Sequence, residues 1–367
     1  MRVAIDALLL SGRYSGVERA IDALLRHIAR DGVHVTALVG CDFDPATLDG
    51  CGLDVVRLPA SNRSRLRRIL FEEFRLRRHL EGFDLLHAPG YCAPRQPGVP
   101  VVLTVYDTIA IRQPELAKRS NALHYRWRMP RSARAAARVI VPLECVADEV
   151  ESCLRVDRDK IRVVPLGVDA SLSPPHEDEV EATRVQLGLE RPYILFVGNL
   201  EPKKNLPALL RAFAQLVDAG VPHDLVLAGT PGWKCRDVLR LPEELGVAER
   251  VRMLGYVDGA HLRGLYGAAD VFAFPSLVEG FGLPPLEAMA CGTPVVTSDI
   301  PALRETAGDA AERVAPTDVE GLADALRRVL EDSDLRSHLR EAGLRRAAEF
   351  TWPNTAEATR AVYREVT

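Results

Sequence analysis

The chain has 367 residues, 47% hydrophobic and 27% charged, with a formal net charge of −4, which is an ordinary globular composition. No apolar run approaches the roughly 18–20 residues of a membrane-spanning helix, and there is no low-complexity tract or short-period repeat. One core rarely serves such a length, so two domains of roughly 150–200 residues are expected.

In chain order, MRVAIDALLLSGRYSG opens with one arginine and a short apolar stretch before a glycine loop. Its apolar core is short for a signal peptide and reads better as a buried strand. VERAIDALLRHIAR follows with apolar residues at helical spacing, then HVTALVG as a second strand. Residues 63–78, RSRLRRILFEEFRLRR, interleave arginines with Leu, Ile and Phe. A basic amphipathic helix there could lie on an anionic membrane surface or face an anionic acceptor, or simply be a solvated arginine-rich face. DLLHA, VVLTVYD and RVIVP continue as short apolar strands between helical stretches, the signature of a parallel sheet covered by helices.

After KIRVVPLGVD the chain turns Pro-, Asp- and Glu-rich, which places an interdomain linker at about residues 168–182. The pattern then restarts. YILFVGN, DLVLAGT, VRMLGYV, DVFAFPS and PVVTSD read as strands with helices between them, and FTWPNTAEATRAVYREVT as a terminal helix entered through Pro353. The fold class expected is therefore α/β, two Rossmann-like doubly wound domains facing across a cleft, over 1–172 and 173–351. Charge divides along the same line. Residues 1–168 hold 26 Lys+Arg against 20 Asp+Glu and the remainder 21 against 31, which suggests different partners for the two halves. Seven cysteines without a CxxC pair fit reduced thiols in a cytoplasmic protein and give no structural zinc site.

In doubly wound sheets, ligands sit beyond the carboxyl ends of the strands, so glycine loops there carry the most information. GRYSG, Gly12 to Gly16, is one such loop, though any strand-to-helix turn can look like it. GNLEPKKN is another: Gly198 ends a strand, and Lys203 and Lys204 precede a new helix, where lysines can reach phosphate oxygens. In PSLVEGFGLPPLEAMACG, Pro284 and Pro285 forbid one continuous helix from Glu279 to Glu287. Glu279 is thus expected in a loop and Glu287 in the first turn of a helix. Gly280 and Gly282 allow the intervening amides to meet a ligand.

EGFGLPPLEAMACGTPVVTSD, with Glu279 and Glu287 eight positions apart, resembles the donor-binding motif of retaining nucleotide-sugar glycosyltransferases of family 4. SGVERAIDALL, VVLTVYDTI, KIRVVPLGVD, YILFVGNLEPKKNL, LYGAADVFAFPSL and the terminal FTWPNTAEATRAVYREV extend the similarity over nearly the whole chain. The resemblance implies a GT-B architecture, with an acceptor-binding first domain, a donor-binding second domain and a last helix, about 352–367, packing back on the first. It implies Lys204 on the donor diphosphate, Glu287 on the ribose hydroxyls and Glu279 near the hydroxyls of the transferred sugar. Backbone amides of Phe281, Gly282 and Leu283 would meet sugar and phosphates, and Gly16 would close over the diphosphate.

Two positions depart from the family pattern. Asn199 stands where many members have arginine, which shifts phosphate neutralisation towards Lys203 and Lys204. Thr104-Val105-Tyr106-Asp107 stands where many read T-V-H-D, so Tyr106 occupies the place of a histidine beside the transferred sugar. Tyr106 could still donate a hydrogen bond but titrates near pH 10. With Lys204 and Glu279 it completes the candidate catalytic set. Asp107 and His87, at strand ends, are candidate acceptor-side residues, with a hydrogen-bonded structural role as the alternative for His87. The triplets Asp42-Phe43-Asp44, Asp157-Arg158-Asp159 and Asp332-Ser333-Asp334 lie in polar, turn-like segments and read as surface charge. No cofactor, essential metal or nucleic-acid partner is expected.

The reading is a cytoplasmic transferase, at most peripheral on a membrane, moving a sugar from a nucleoside diphosphate donor, first GDP-mannose, to a hydroxyl of a glycan, lipid-linked or small-molecule acceptor. Alternatives are a nucleotide-sugar epimerase, a non-catalytic nucleotide-sugar binding protein, and an enzyme coupling the donor to an amine or cyclitol.

Overall fold

The structure is a computed structural model that describes residues 1–11, 16–30, 32–61 and 64–367. The loop residues Gly12 to Ser15, and Arg63 of the basic stretch, lie outside the described residues. The chain forms two compact units, Met1–Gly167 with Thr351–Thr367, and Val168–Phe350.

The first unit is built on a seven-stranded sheet: β1 Arg2–Asp6, β2 His34–Gly40, β3 Asp54–Leu58, β4 Leu85–Ala88, β5 Val101–Thr104, β6 Arg138–Val141 and β7 Ile161–Val163. Its order is β3-β2-β1-β4-β5-β6-β7, and every pairing is parallel. Every residue of β4 and β5 is buried, as expected of inner parallel strands covered on both faces. The terminal helix Trp352–Arg364 starts where Thr351 accepts from the amide of Asn354, with Pro353 in its first turn. It docks on the helix Gly16–Ile28 through Arg360, which is buried and donates to the carbonyls of His27 at 3.1 Å and Ile28 at 3.0 Å. A cation there satisfies orphan carbonyls at the negative end of a helix.

The second unit carries β8 Tyr193–Val197, β9 Asp224–Ala228, β10 Val251–Gly255, β11 Val271–Phe274, β12 Val295–Ser298 and β13 Glu312–Val314. The order β10-β9-β8-β11-β12-β13, again all parallel, repeats the arrangement of the first sheet. Phe196, Phe272 and Phe274 stack between its two central strands.

The acidic segment expected to be a linker is different. The change of unit falls at Gly167/Val168, and Glu177–Leu187 is a helix with Glu177, Asp178 and Glu179 in its first turn and Gly188 as its left-handed C-cap. Three carboxylates at a helix amino end are favoured by the helix dipole, so the composition that resembled a linker is a helix start.

Candidate active site

In each sheet the chain reverses its winding direction beside the first strand of the unit, and the crevice at such a switch point is where doubly wound sheets hold ligands. In the second unit this point lies between β8 and β11. The loop after β8 carries Gly198, Asn199, Lys203 and Lys204; the loop after β11 carries Glu279 to Gly282. The amide of Leu277 donates to the Lys203 carbonyl at 2.8 Å and stitches the two loops together.

Lys204 ends a short 3-10 turn, Pro202–Lys204, and Asn205 follows in the left-handed region, its side chain donating to the Pro316 carbonyl at 2.8 Å. This fixes Lys204 in a buried position, with its Nζ 2.6 Å from Glu279 Oε1 and 4.4 Å from the centre of the Phe274 ring. Burial is the largest influence on the ammonium and holds it below its ordinary range, although Glu279 pulls the other way. On Glu279 burial acts in the opposite sense, but Lys204 and then Lys203 outweigh it, so its carboxyl titrates below the usual range and is ionised near neutrality. An ionised carboxylate accepts hydrogen bonds and cannot act as a general acid. Ser276 Oγ is buried without a well-aligned partner, close enough to Glu279 to favour its charge.

The segment after Glu279 opens the helix Leu283–Ala290. Among the described residues, no acceptor receives the amides of Gly280, Phe281, Gly282 or Leu283. Gly282 holds φ 95°, and a Cβ there would lie 2.5 Å from Leu303 Cδ2, so only glycine fits without strain. Phe281 is buried edge-on against Phe350, with ring centres 5.7 Å apart. Glu287 is not in the first helical turn as expected, because Leu283, Pro284, Pro285 and Leu286 fill it; it begins the second turn. Its Oε2 accepts from Tyr266 Oη at 2.8 Å.

In the first unit, Gly16 begins the helix Gly16–Ile28 and is exposed. Tyr106, just beyond β5, is buried against Tyr91, with ring centres 5.5 Å apart, and burial alone raises its hydroxyl above the ordinary range. Asp107 uses both oxygens locally, accepting from Tyr91 Oη at 2.8 Å and from the Ile109 amide at 3.0 Å. His87 takes the hydrogen-bonded alternative. It is buried, with Nδ1 2.6 Å from Tyr363 Oη and Nε2 2.8 Å from Thr104 Oγ1, and burial pushes its pKa down to about 3. Both imidazole nitrogens are thus engaged inside the unit.

Sequence reasoning missed several residues. Gly229 directly follows β9, and a Cβ on it would stand 2.0 Å from the Gly198 carbonyl oxygen, so this glycine lets the loop after β8 pass. Its strand-end position in DLVLAGT was the available signal. Tyr91 sits at φ 66° between Tyr106 and Tyr125. Arg68, Glu72, His124, Tyr125 and Arg128 surround a small polar hollow beside Asp6. Burial, then the charge of Glu72, pushes Asp6 up to about 7 against the opposing arginines. Two of the acidic triplets cap helices: Asp44 accepts from the Ala46 amide at the start of the short turn Pro45–Leu48, and Asp332 from the amides of Asp334 and Leu335 at the start of Ser333–Ala347, whereas Asp157 makes no side-chain cap.

Residues 14–172 match the family model described as Glycosyltransferase Family 4, and residues 179–346 match Glycosyl transferases group 1. The O-antigen chain mannosyltransferase B of Escherichia coli is 32% identical over 284 residues, 76% of this chain and 74% of that protein. The chain belongs to glycosyltransferase family 4. A D-inositol 3-phosphate glycosyltransferase of Nocardia farcinica is 32% identical over 97% of this chain and 81% of its own. Anabaena Alr3699/HepE, solved in complex with UDP-glucose, superposes with a TM-score of 0.77 at 20% identity, covering 99% of this chain and 98% of that one. This family 4 glycosyltransferase therefore has the GT-B fold and an enzyme's identity, with a nucleotide sugar as donor.

Proposed function

We propose that the enzyme transfers a sugar from a nucleoside diphosphate sugar, GDP-mannose first, to an acceptor hydroxyl, with the anomeric configuration retained. The observation that carries this reading is the buried Lys204–Glu279 pair beside the unpartnered amides of Gly280 to Leu283. A diphosphate needs a cation and convergent N–H donors, and sugar hydroxyls need an ionised acceptor. Both kinds of group stand at the ends of β8 and β11. Departure of the diphosphate through an oxocarbenium-like state develops charge on its oxygens. Lys204, the helix-start amides and Lys203 would stabilise that charge, often the largest catalytic contribution. A donor phosphate oxygen would take the acceptor proton, since Glu279 is ionised and paired and Tyr106 holds its proton tightly. Glu287, steadied by Tyr266, would hold the ribose hydroxyls, with Glu279 on the hydroxyls of the transferred sugar. The first unit would bind the acceptor and the second the donor.

Mannose as the transferred sugar draws support from the likeness to the E. coli mannosyltransferase. The likeness to a D-inositol 3-phosphate glycosyltransferase over nearly the whole chain favours a second reading for the acceptor, a cyclitol hydroxyl. A thermal-shift screen of GDP-, UDP- and dTDP-sugars tests the donor. A ligand at 100 times its Kd adds about 2.7 kcal/mol, and GDP-mannose should give the largest shift. A larger shift with a UDP-sugar replaces the donor assigned; product formed from donor alone would instead indicate an epimerase.

A further inference from the structure

Two helices of the first unit, Arg65–Phe74 and Arg119–Ala135, are bridged by charge. Arg128 donates to Glu73 at 3.0 Å and to Glu72 at 3.4 Å, Arg131 to Glu73 at 2.9 Å, and Arg65 bonds Asn121. Arg68 also donates to Glu72 at 2.8 Å. Both acids of the first helix are thereby turned inward and neutralised, and Arg119–Ala135 contains no acid at all.

What faces water is the reverse of a solvated surface helix. Leu66 is 67% exposed, Leu70 48% and Phe74 69%, spaced four apart along one stripe; Leu123 is 66% and Trp127 74% exposed along another. Arg67, Arg75, Arg119 and Arg126 stand exposed on and beside the same stripes. Of the other exposed large hydrophobics, Val56 lies in the first unit and Val185, Leu239, Met253 and Tyr256 in the second. Exposed apolar stripes on two bridged helices mark an interaction site, and the charge around them selects the partner. A second copy of the same patch would bring arginine against arginine. An anionic bilayer supplies phosphates for the guanidinium groups and an acyl boundary for Leu, Phe and Trp.

We propose that these two helices dock the first unit onto an anionic lipid bilayer surface. Trp127, Phe74 and the leucines enter the interface while the flanking arginines hold lipid phosphates. Such docking does not depend on which donor or acceptor the enzyme uses.

Co-sedimentation of the full chain with vesicles of phosphatidylcholine alone, or mixed with phosphatidylglycerol, tests it. Binding should require phosphatidylglycerol and weaken as salt rises, and Arg67→Glu with Arg126→Glu should reduce it by about tenfold or more, since each basic residue near the surface contributes roughly fivefold. Trp127→Ser with Phe74→Ser should reduce it at least as much without lowering the melting temperature, because both side chains are exposed. Equal binding to neutral vesicles, no binding to either kind, or unchanged binding by both double variants would overturn the proposal. So would light scattering that shows a dimer which Trp127→Ser converts to a monomer, since the patch would then belong to a second copy.

Discussion

The two sheets have the same strand order, yet their strand ends carry opposite chemistry. Beyond β8 and β11 lie a buried ion pair, a buried serine hydroxyl beside Glu279 and, among the described residues, four amides without acceptors. Beyond β4 and β5 the polar groups are mutually satisfied: His87 between two hydroxyls, Asp107 held by Tyr91, and tyrosine rings packed edge to face. One topology thus carries a buried ion pair and open amides at the strand ends of one unit, and hydrogen-bonded, ring-lined strand ends in the other. The fold supplies the position, and the side chains at the strand ends supply the function.

The most damaging break of this contrast is Lys204→Ala. Turnover should fall by about 10²–10³-fold, the loss typical of a missing donor at a developing charge. The variant should also melt earlier, because removing one partner of a buried pair leaves the other charge uncompensated, a cost of about 3–5 kcal/mol. Lys204→Met with Glu279→Gln separates the two effects: stability should largely return and turnover should not. Near-normal turnover in either variant would remove Lys204 from the chemistry and leave it a structural cation.

The first unit should instead reveal itself through acid. His87 in the folded chain titrates at about 3, against about 6.5 unfolded, so its contribution to stability is present above pH 6.5 and lost as pH falls towards 3. By pH 4 the loss is roughly 3 kcal/mol, since each unit of separation is worth about 1.4 kcal/mol. Urea midpoints measured from pH 7 to 4 should decline steeply for the native chain and less steeply for His87→Gln. Parallel slopes would mean that the imidazole is more accessible to protons than its burial indicates.

The elements most legible in the sequence were those whose burial is continuous. β4, β5, β11 and β12 are buried at every residue and show as plain apolar runs. β3 is hidden because it is an edge strand in which only Leu58 is buried, and β13 because Glu312–Val314 is three residues long and two of them are charged. The candidate donor residues were visible one by one, from lysine, proline and glycine placement and from the family resemblance. Their pairings were not, since Lys204 and Glu279 are 75 positions apart and His87 and Tyr363 are 276 apart. Local pattern reports which face a residue takes, whereas a partner that distant is fixed only by the strand order.

Two glycines sharpen the contrast at smaller cost. Gly282→Ala forces an alanine to φ 95° and its Cβ onto Leu303, and should cost about 1–3 kcal/mol of stability while raising the KM for donor. Adding Leu303→Ala removes the collision and leaves the backbone strain, so donor KM should stay high. Gly16→Ala meets no atom within 4 Å and should leave stability unchanged. A raised KM in that variant would place Gly16 against the donor, as its position in the family motif implies. An unchanged KM would make the loop a bystander.

The smallest effect concerns the acidic triplets. Asp332 spends its carboxylate on the amides of Asp334 and Leu335, at 2.9 Å and 3.0 Å, at the start of the helix Ser333–Ala347. Replacing such a cap with alanine costs about 1 kcal/mol. Asp332→Ala should therefore lower the melting temperature by a few degrees, with kcat and the response to added divalent cations both unchanged. The carboxylate of Glu279 lies in the same unit and has the same formal charge, but it is buried against Lys204 and receives no amide. Exposure and partner, more than charge, thus separate a capping acid from a candidate ligand-binding one. If Asp332→Ala lost turnover at full stability, that criterion would fail, and the triplet would have to be reconsidered as a metal site.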